Sequence, residues 1–304
     1  MPQSDPTELR PPRPRSRRGP GWLLLLVLLA AGIGWYAWNV RSSASGAAAP
    51  GATDTQQAAV QQPAPTDAAP GAEPQEGEIQ NPIEEPLGEQ AVLPALDESD
   101  VDVGKELAQL LGGQRAGAFL QLDAFVRRAV ATVDNLAREQ APARMWPVHP
   151  MPGRFTVHEQ GGAQRIAAEN SARYEAFVAL AESVPAAAAA QLYARLYPLF
   201  QVAYEELGYP GKYFNDRLVA VIDHLMASPE PAEPPAVHLV SVAGQVQSLQ
   251  PWVRYEFLDP QLQQLSAGQK IMVRVGLDKE RRLKRVLAGL RAQVAKAAPP
   301  KAGQ

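Results

Sequence analysis

Residues Leu192–Met226, LYARLYPLFQVAYEELGYPGKYFNDRLVAVIDHLM, carry the strongest pattern in the chain and decide its fold class. Leu192, Leu196, Leu199, Phe200, Ala203 and Leu207 recur at the spacing of one face of an α-helix. Tyr193, Tyr197 and Tyr204 widen that stripe, so the helix is expected to be buried on more than one side. Phe214, Leu218, Val221, Ile222 and Leu225 repeat the spacing in a second helix. Between the two, Gly208 is placed to end the first helix in a left-handed conformation, Tyr209 to cover it, and Pro210-Gly211 to turn the chain. Asn215 is expected to cap the second helix, with Phe214 stapled on Val219. Pro198 conflicts with its surroundings: inside a helix it removes a backbone bond and predicts a kink or a break.

The rest of the body reads as further helices with small hairpins. Val103, Leu107, Leu110 and Leu111 make a short amphipathic helix closed by Gly112-Gly113. A stripe from Phe119 through Phe125 and Val126 to Val133 predicts a second, with Arg127 and Arg128 off its apolar face, either solvated or a ligand site. Arg154–Val157 and Gln164–Ile166 flank Gly161-Gly162 as a hairpin. Asn170 is expected to cap a helix striped by Tyr174, Phe177, Val178 and Ala181. Pro185 suits the first turn of the long helix that follows. Val237–Val242 and Val253–Leu258 are expected to pair as a second hairpin, and Asp259-Pro260 to start a helix in cap-then-first-residue order. Ile271–Val275 is an apolar run of either state. Leu277–Ala297 closes the chain as a basic helix that either presents a solvated Lys/Arg face or touches anionic lipid or peptidoglycan. The fold class is therefore mainly α, a multi-helix globular domain with one or two small β-hairpins. The helices from Phe119 and Tyr174 are expected to pack on the Leu192–Met226 pair.

Working outward, the 304 residues divide by charge. Residues 1–20 hold five Arg and two acids, and residues 42–104 hold twelve acids and no Lys or Arg. Residues 105–304 hold 23 bases and 18 acids, a surplus too dilute for nucleic acid. Trp22–Val40 is nineteen residues without a charge, and a helix of that length spans roughly 30 Å, the thickness of a bilayer core. Arg residues before it and aromatic residues near its ends predict a transmembrane helix with the N-terminus cytoplasmic. A cleaved signal peptide ending near Ala44–Ala49 is the alternative, against which the length of the apolar run counts. The layout expected is a disordered basic cytoplasmic tail (1–20), a transmembrane helix (21–41), a disordered acidic Ala/Pro-rich linker (42–98), a helical domain (99–297) and a disordered tail (298–304). Ile79, Ile83 and Leu87 stand at four-residue spacing in the linker, with Pro82 and Pro86 between them.

Chemical signatures are scarce. The chain has no cysteine, which excludes disulfides, thiolate metal sites and a Cys nucleophile. His149, His158, His224 and His238 stand apart and show no metal-ligand spacing. No nucleophile elbow, P-loop or dinucleotide fingerprint occurs, so no catalytic residue, metal or cofactor is assigned. The candidate recognition patch is Tyr209, Tyr213, Asn215, Asp216, Arg217, Asp223 and His224, with Glu205 and Glu206 beside it. Its alternative is structural: a cap at Asn215, one Arg–carboxylate pair and a solvated face.

Several of these stretches are also familiar. Phe125–Leu136 (FVRRAVATVDNL), Pro152-Gly153-Arg154-Phe155, Tyr193–Asn215, Asp216–Leu225 and Tyr255–Lys270 (YEFLDPQLQQLSAGQK) occur in order. Together they resemble the bacterial domain-of-unknown-function family 3014, over roughly residues 95–295. That resemblance implies a proteobacterial envelope protein with a single N-terminal helix and a low-complexity spacer, and supplies no activity. The expectation is a non-enzymatic interaction module: a domain held in the periplasm by an inner-membrane anchor, with an envelope protein or peptidoglycan as partner. The alternatives are an envelope-polymer hydrolase using unrecognised carboxylates and a small-ligand carrier.

Overall fold

A computed structural model describes residues 79–83, 93–240 and 254–295. The basic tail, the apolar run, most of the linker and the last residues lie outside the described residues. The described chain is mainly helical, with two small antiparallel hairpins.

After a 3-10 turn at Leu96–Glu98, the helices are α1 (Asp100–Leu111), α2 (Gly113–Phe119), α3 (Phe125–Leu136), α4 (Ala168–Arg173), α5 (Glu175–Ser183), α6 (Ala186–Glu206), α7 (Phe214–Met226), α8 (Pro260–Gln263), α9 (Ala267–Arg274) and α10 (Leu277–Val294). The strands are β1 (Val157–Gln160), β2 (Ala163–Ile166), β3 (Val237–Leu239) and β4 (Tyr255–Phe257). Helices α6 and α7 form the centre, with α3 packed on both and α10 packed on both. Contrary to expectation, α5 packs chiefly on α10, because the chain bends by 80° between α5 and α6. Arg282 and Lys279 of α10 reinforce that contact through ion pairs to Glu175 and Glu182.

The turn between α6 and α7 has the geometry its sequence predicts. Gly208 has φ +112°, its N–H donates to Glu205 O at 3.0 Å, and Tyr209 N–H donates to Tyr204 O at 3.4 Å. This is the Schellman pattern, and the Tyr204 and Tyr209 rings stack over it with centroids 4.6 Å apart. Pro198 neither breaks nor ends α6, which is continuous from Ala186 to Glu206. It lies on the exposed side of the helix, where water can serve the carbonyl it leaves unpaired.

Three other expectations are corrected. The Phe119–Val133 stripe is not one helix. Ala124 adopts a left-handed φ of +48° and α3 starts after it. Asp100 of α1 supplies the cap, accepting from Ala124 N at 2.8 Å and Phe125 N at 3.3 Å. Asn170 is not a cap but a buried residue within α4, fastened to Thr156 and Ala167. Asn215 is not a cap either, as described below. Arg127 and Arg128 lie on a partly solvated face, as one of the two expected readings has it, and make contacts there. Arg127 pairs with Glu206 and Asp97, and Arg128 donates to Asp123 O and Arg144 O.

Both hairpins form, but the first strand is Val157–Gln160 instead of the expected Arg154–Val157, and residues 241, 242 and 253 of the second expected pair lie outside the described residues. Gly161 and Gly162 have φ of +61° and +77°, the conformation a two-residue loop of this hand requires. Strands β3 and β4 pair with Val237 opposite Phe257. The two hairpins meet at Arg165 and Ala236 and enclose a second, small core of Ile166, Val237, Phe257 and Val273. Asp259 caps α8 through Gln261 N at 2.8 Å, and the Ile271–Val275 run is helical to Arg274, with Val275 as the C-cap of α9.

Candidate functional site

An aromatic stack runs along α6 and ends against the start of α7. Tyr193 sits edge-on to Tyr197 and Phe200, Phe200 stacks on Phe214, and Tyr197 meets Tyr213 at 5.2 Å. The first amides of α7 are capped from α6 instead of from within. Gln201 Oε1 accepts Phe214 N–H at 2.9 Å, and the Tyr197 hydroxyl accepts Asn215 N–H at 3.4 Å. A helix start satisfied by its neighbour needs no cap of its own. That frees Asn215 and Asp216, in the first turn of α7, for other partners.

Those partners belong mostly to residues 79–83. Asp216 Oδ1 accepts Asn81 N–H at 2.7 Å and the Asn81 side-chain amide at 3.0 Å, while Oδ2 accepts Gln80 N–H at 3.1 Å. The Tyr213 hydroxyl accepts Ile83 N–H at 2.9 Å. Asn215 is fully buried and its Nδ2 donates to Asn81 O at 2.8 Å and to Val294 O at 2.9 Å. Both of those partners are carbonyls, which fixes the orientation of the amide. Asn215 Oδ1 has no partner among the described residues. Ile83 also packs against the main core. Every main-chain N–H from Gln80 to Ile83 is therefore held by a side chain of α7 or the residue before it, because Pro82 has none to offer. The carboxylate of Asp216 further suits the positive end of α7.

The seven expected patch residues thus separate into three places. Tyr213, Asn215 and Asp216 hold residues 79–83. Tyr209 and Arg217 converge on Asp134, whose side chain is 6 % exposed. Arg217 donates to Asp134 Oδ1 at 3.0 Å and to its backbone oxygen at 2.9 Å, and Arg138 donates to Oδ2 at 2.9 Å. The Tyr209 hydroxyl donates to Asp134 Oδ2 at 3.2 Å and meets Arg138. Burial and the Asp134 charge raise the Tyr209 phenol, and push Tyr204 up to about 12. Asp223 and His224 form the third place: Asp223 pairs with Arg291 of α10, and His224 Nε2 lies 2.8 Å from Ser266 Oγ. Burial, then Arg217, lowers the His224 imidazole. Asp216 and Asp223 consequently serve different clusters although they share a helix.

Sequence reasoning missed Gln80, Asn81 and Ile83. Their signal was weak: two isoleucines and an Asn-Pro in a stretch otherwise built of Ala, Gly, Gln and acid. Most basic residues of α10 pair within the fold, and Arg285 is exposed. Arg282, Lys279, Arg281, Lys284 and Arg291 pair with Glu175, Glu182, Glu230 and Asp223. The Lys279 and Arg282 hydrogen bonds lower the Glu175 carboxyl. Among the described residues no group of three or more His, Asp or Glu side chains is placed to hold a metal ion. A depression of about 220 Å³ lies between Ile166, Ser171, Arg274 and the loop at Pro231–Pro235, below the roughly 300 Å³ of a typical small-molecule pocket.

A family model described as a protein of unknown function (DUF3014) matches residues 125–291, more than half of the chain. The chain belongs to that family. No curated protein and no solved structure matches it.

Proposed function

We propose that this DUF3014 protein is a non-enzymatic, membrane-anchored interaction module of the bacterial cell envelope. In this reading Trp22–Val40 crosses the inner membrane, the first twenty residues remain in the cytoplasm, and the helical domain works in the periplasm at the end of an acidic tether. The arginines that precede the apolar run and the acidic, Pro-rich composition that follows it support that layout. The observation that carries the interaction role is the seating of residues 79–83 on α7. Asp216, Asn215 and Tyr213 grip a short segment, bent at Gln80 and Asn81, by its main chain and by one Asn side chain. A surface that holds one chain segment by its main-chain groups has the chemistry of peptide recognition. The carrier reading finds no pocket of the needed size in the 220 Å³ depression.

Two experiments test the proposal. The cysteine-free chain accepts single reporter cysteines without background. In intact spheroplasts, Ser42→Cys should react with a membrane-impermeant maleimide and Ser16→Cys should not; labelling of Ser16→Cys alone, or recovery of the protein outside the membrane fraction, overturns the topology. In-cell crosslinking followed by mass spectrometry should recover an envelope partner, and repeated recovery of none counts against the interaction role.

A further inference from the structure

The seat on α7 is filled by a part of the chain that the domain does not need for closure. The amides of Phe214 and Asn215 are already served by Gln201 and Tyr197, and Asn215 keeps Val294 O when the segment leaves. Each bond that residues 79–83 make to α7 and Tyr213 goes to a side chain, not to the main chain of a sheet or helix. The bonds are half-buried, and Ile79 at the end of the segment is 50 % exposed. Few buried apolar contacts and partly solvated hydrogen bonds mark a segment that opens far more readily than the core beneath it. The chain itself keeps the segment near its seat, since the nine residues 84–92 lead on to Leu93.

The seat is selective in chemical terms. The two oxygens of Asp216 require two successive N–H groups with an Asn side chain on the second. The next position offers no N–H, which Pro82 satisfies without stranding a donor. Tyr213 takes the following N–H, and the side chain after Pro reaches the apolar core at Ile83. We propose that Tyr213, Asn215 and Asp216 form an exchangeable peptide-binding site for a short Asn-Pro-aliphatic sequence, occupied in cis by Gln80–Ile83 and open to the same sequence in trans when the strap is released. The inference deepens the interaction-module reading and rests on it only for the biological source of a trans peptide.

The test is a binding measurement on purified full-length protein in detergent micelles, which succeeds or fails whatever the topology in cells. A fluorescent peptide of residues 76–86, EGEIQNPIEEP, is titrated by anisotropy. The strap-disabled chain carrying Asn81→Gly and Ile83→Ser should bind it at least about ten-fold more tightly than the unaltered chain, in which the tethered segment competes. Adding Asp216→Asn to the strap-disabled chain should abolish binding, and a peptide with its Asn and Pro exchanged should not bind. Tyr213→Phe, which deletes one hydroxyl and leaves the aromatic stack, provides a milder second variant and should weaken binding. Failure of the folded strap-disabled chain to bind, equal binding by the strapped and strap-disabled chains, or indifference to both Asp216→Asn and Tyr213→Phe overturns the proposal.

Discussion

Asn81 and Asp216 lie 135 residues apart in sequence and meet through two hydrogen bonds to one carboxylate oxygen, at 2.7 Å and 3.0 Å. That pairing joins a stretch with the composition of a linker to the helix that its own sequence marks as central. Removing the carboxylate by Asp216→Ala strands the amides of Gln80 and Asn81. Both amides should then lose protection in hydrogen exchange while those of Leu218–Leu225 keep theirs. Retained protection at Gln80 and Asn81 would show that other contacts hold the segment.

Asp134 is the most heavily used carboxylate in the core. It receives Arg217, Arg138 and Tyr209, so Asp134→Ala leaves two guanidinium groups facing a desolvated site. Partial exposure of both arginines tempers the loss. Stability should fall by about 2–3 kcal/mol in a denaturant titration. A change under about 0.5 kcal/mol would mean that the cluster is replaceable by water.

Gly268 of α9 is a point of close helix approach. A Cβ there would meet Leu225 Cδ2 and lie 2.7 Å from the carbonyl oxygen of Leu136. Backbone cannot move aside as a side chain can, so Gly268→Ala should cost about 1–3 kcal/mol despite its gain in helix propensity. A thermal melt decides: an unchanged or raised Tm contradicts the packing.

The Tyr193 hydroxyl runs the other way. It is buried among rings with no hydrogen-bond partner among the described residues, and burial raises the phenol well above its ordinary value. Tyr193→Phe keeps the ring contacts and removes a stranded polar group, so it should stabilise the domain by about 1 kcal/mol. A destabilised variant would reveal a bound water or a partner.

How much of this was legible in the sequence depends on where each partner comes from. The Schellman turn at Gly208-Tyr209, the Gly161-Gly162 hairpin and the Asp259 cap are local, and each followed from residues within a few positions of one another. The starts of α3 and α7 were misplaced or miscapped because Asp100 and Gln201, distant in sequence, supply their caps. Residue type makes Asn170 and Asn215 look like caps, yet both are buried and their side-chain amides donate to carbonyls distant in sequence. The candidate patch was found as a set of residues, but its division into three clusters depends on Asp134, Arg291 and Asn81, which no spacing rule connects to it.

Glu280 gives a pH dependence with a defined sign. It is fully buried, with Ser228 Oγ at 2.5 Å and Lys284 Nζ at 3.1 Å from Oε1, and Oε2 without a partner. Burial raises its carboxyl above the ordinary value. The folded state therefore holds this proton more tightly than the unfolded state. Its contribution is present below about pH 4.5 and is lost as pH rises through the raised folded value. Measured from about pH 4 to pH 7, the Tm of the unaltered protein should fall relative to Glu280→Gln. A difference that stays constant across that range would contradict the assignment.

The seating of residues 79–83 on α7 underlies both the interaction role and the exchangeable site, and a distance measurement tests it most directly. Ile79 and Ala220 are exposed, and the chain has no native cysteine, so Ile79→Cys with Ala220→Cys gives one spin-labelled pair. Double electron–electron resonance on the full-length protein should give a narrow distance distribution that broadens when Asp216→Ala is added. A broad distribution in the absence of that substitution, unchanged by it, would contradict the account.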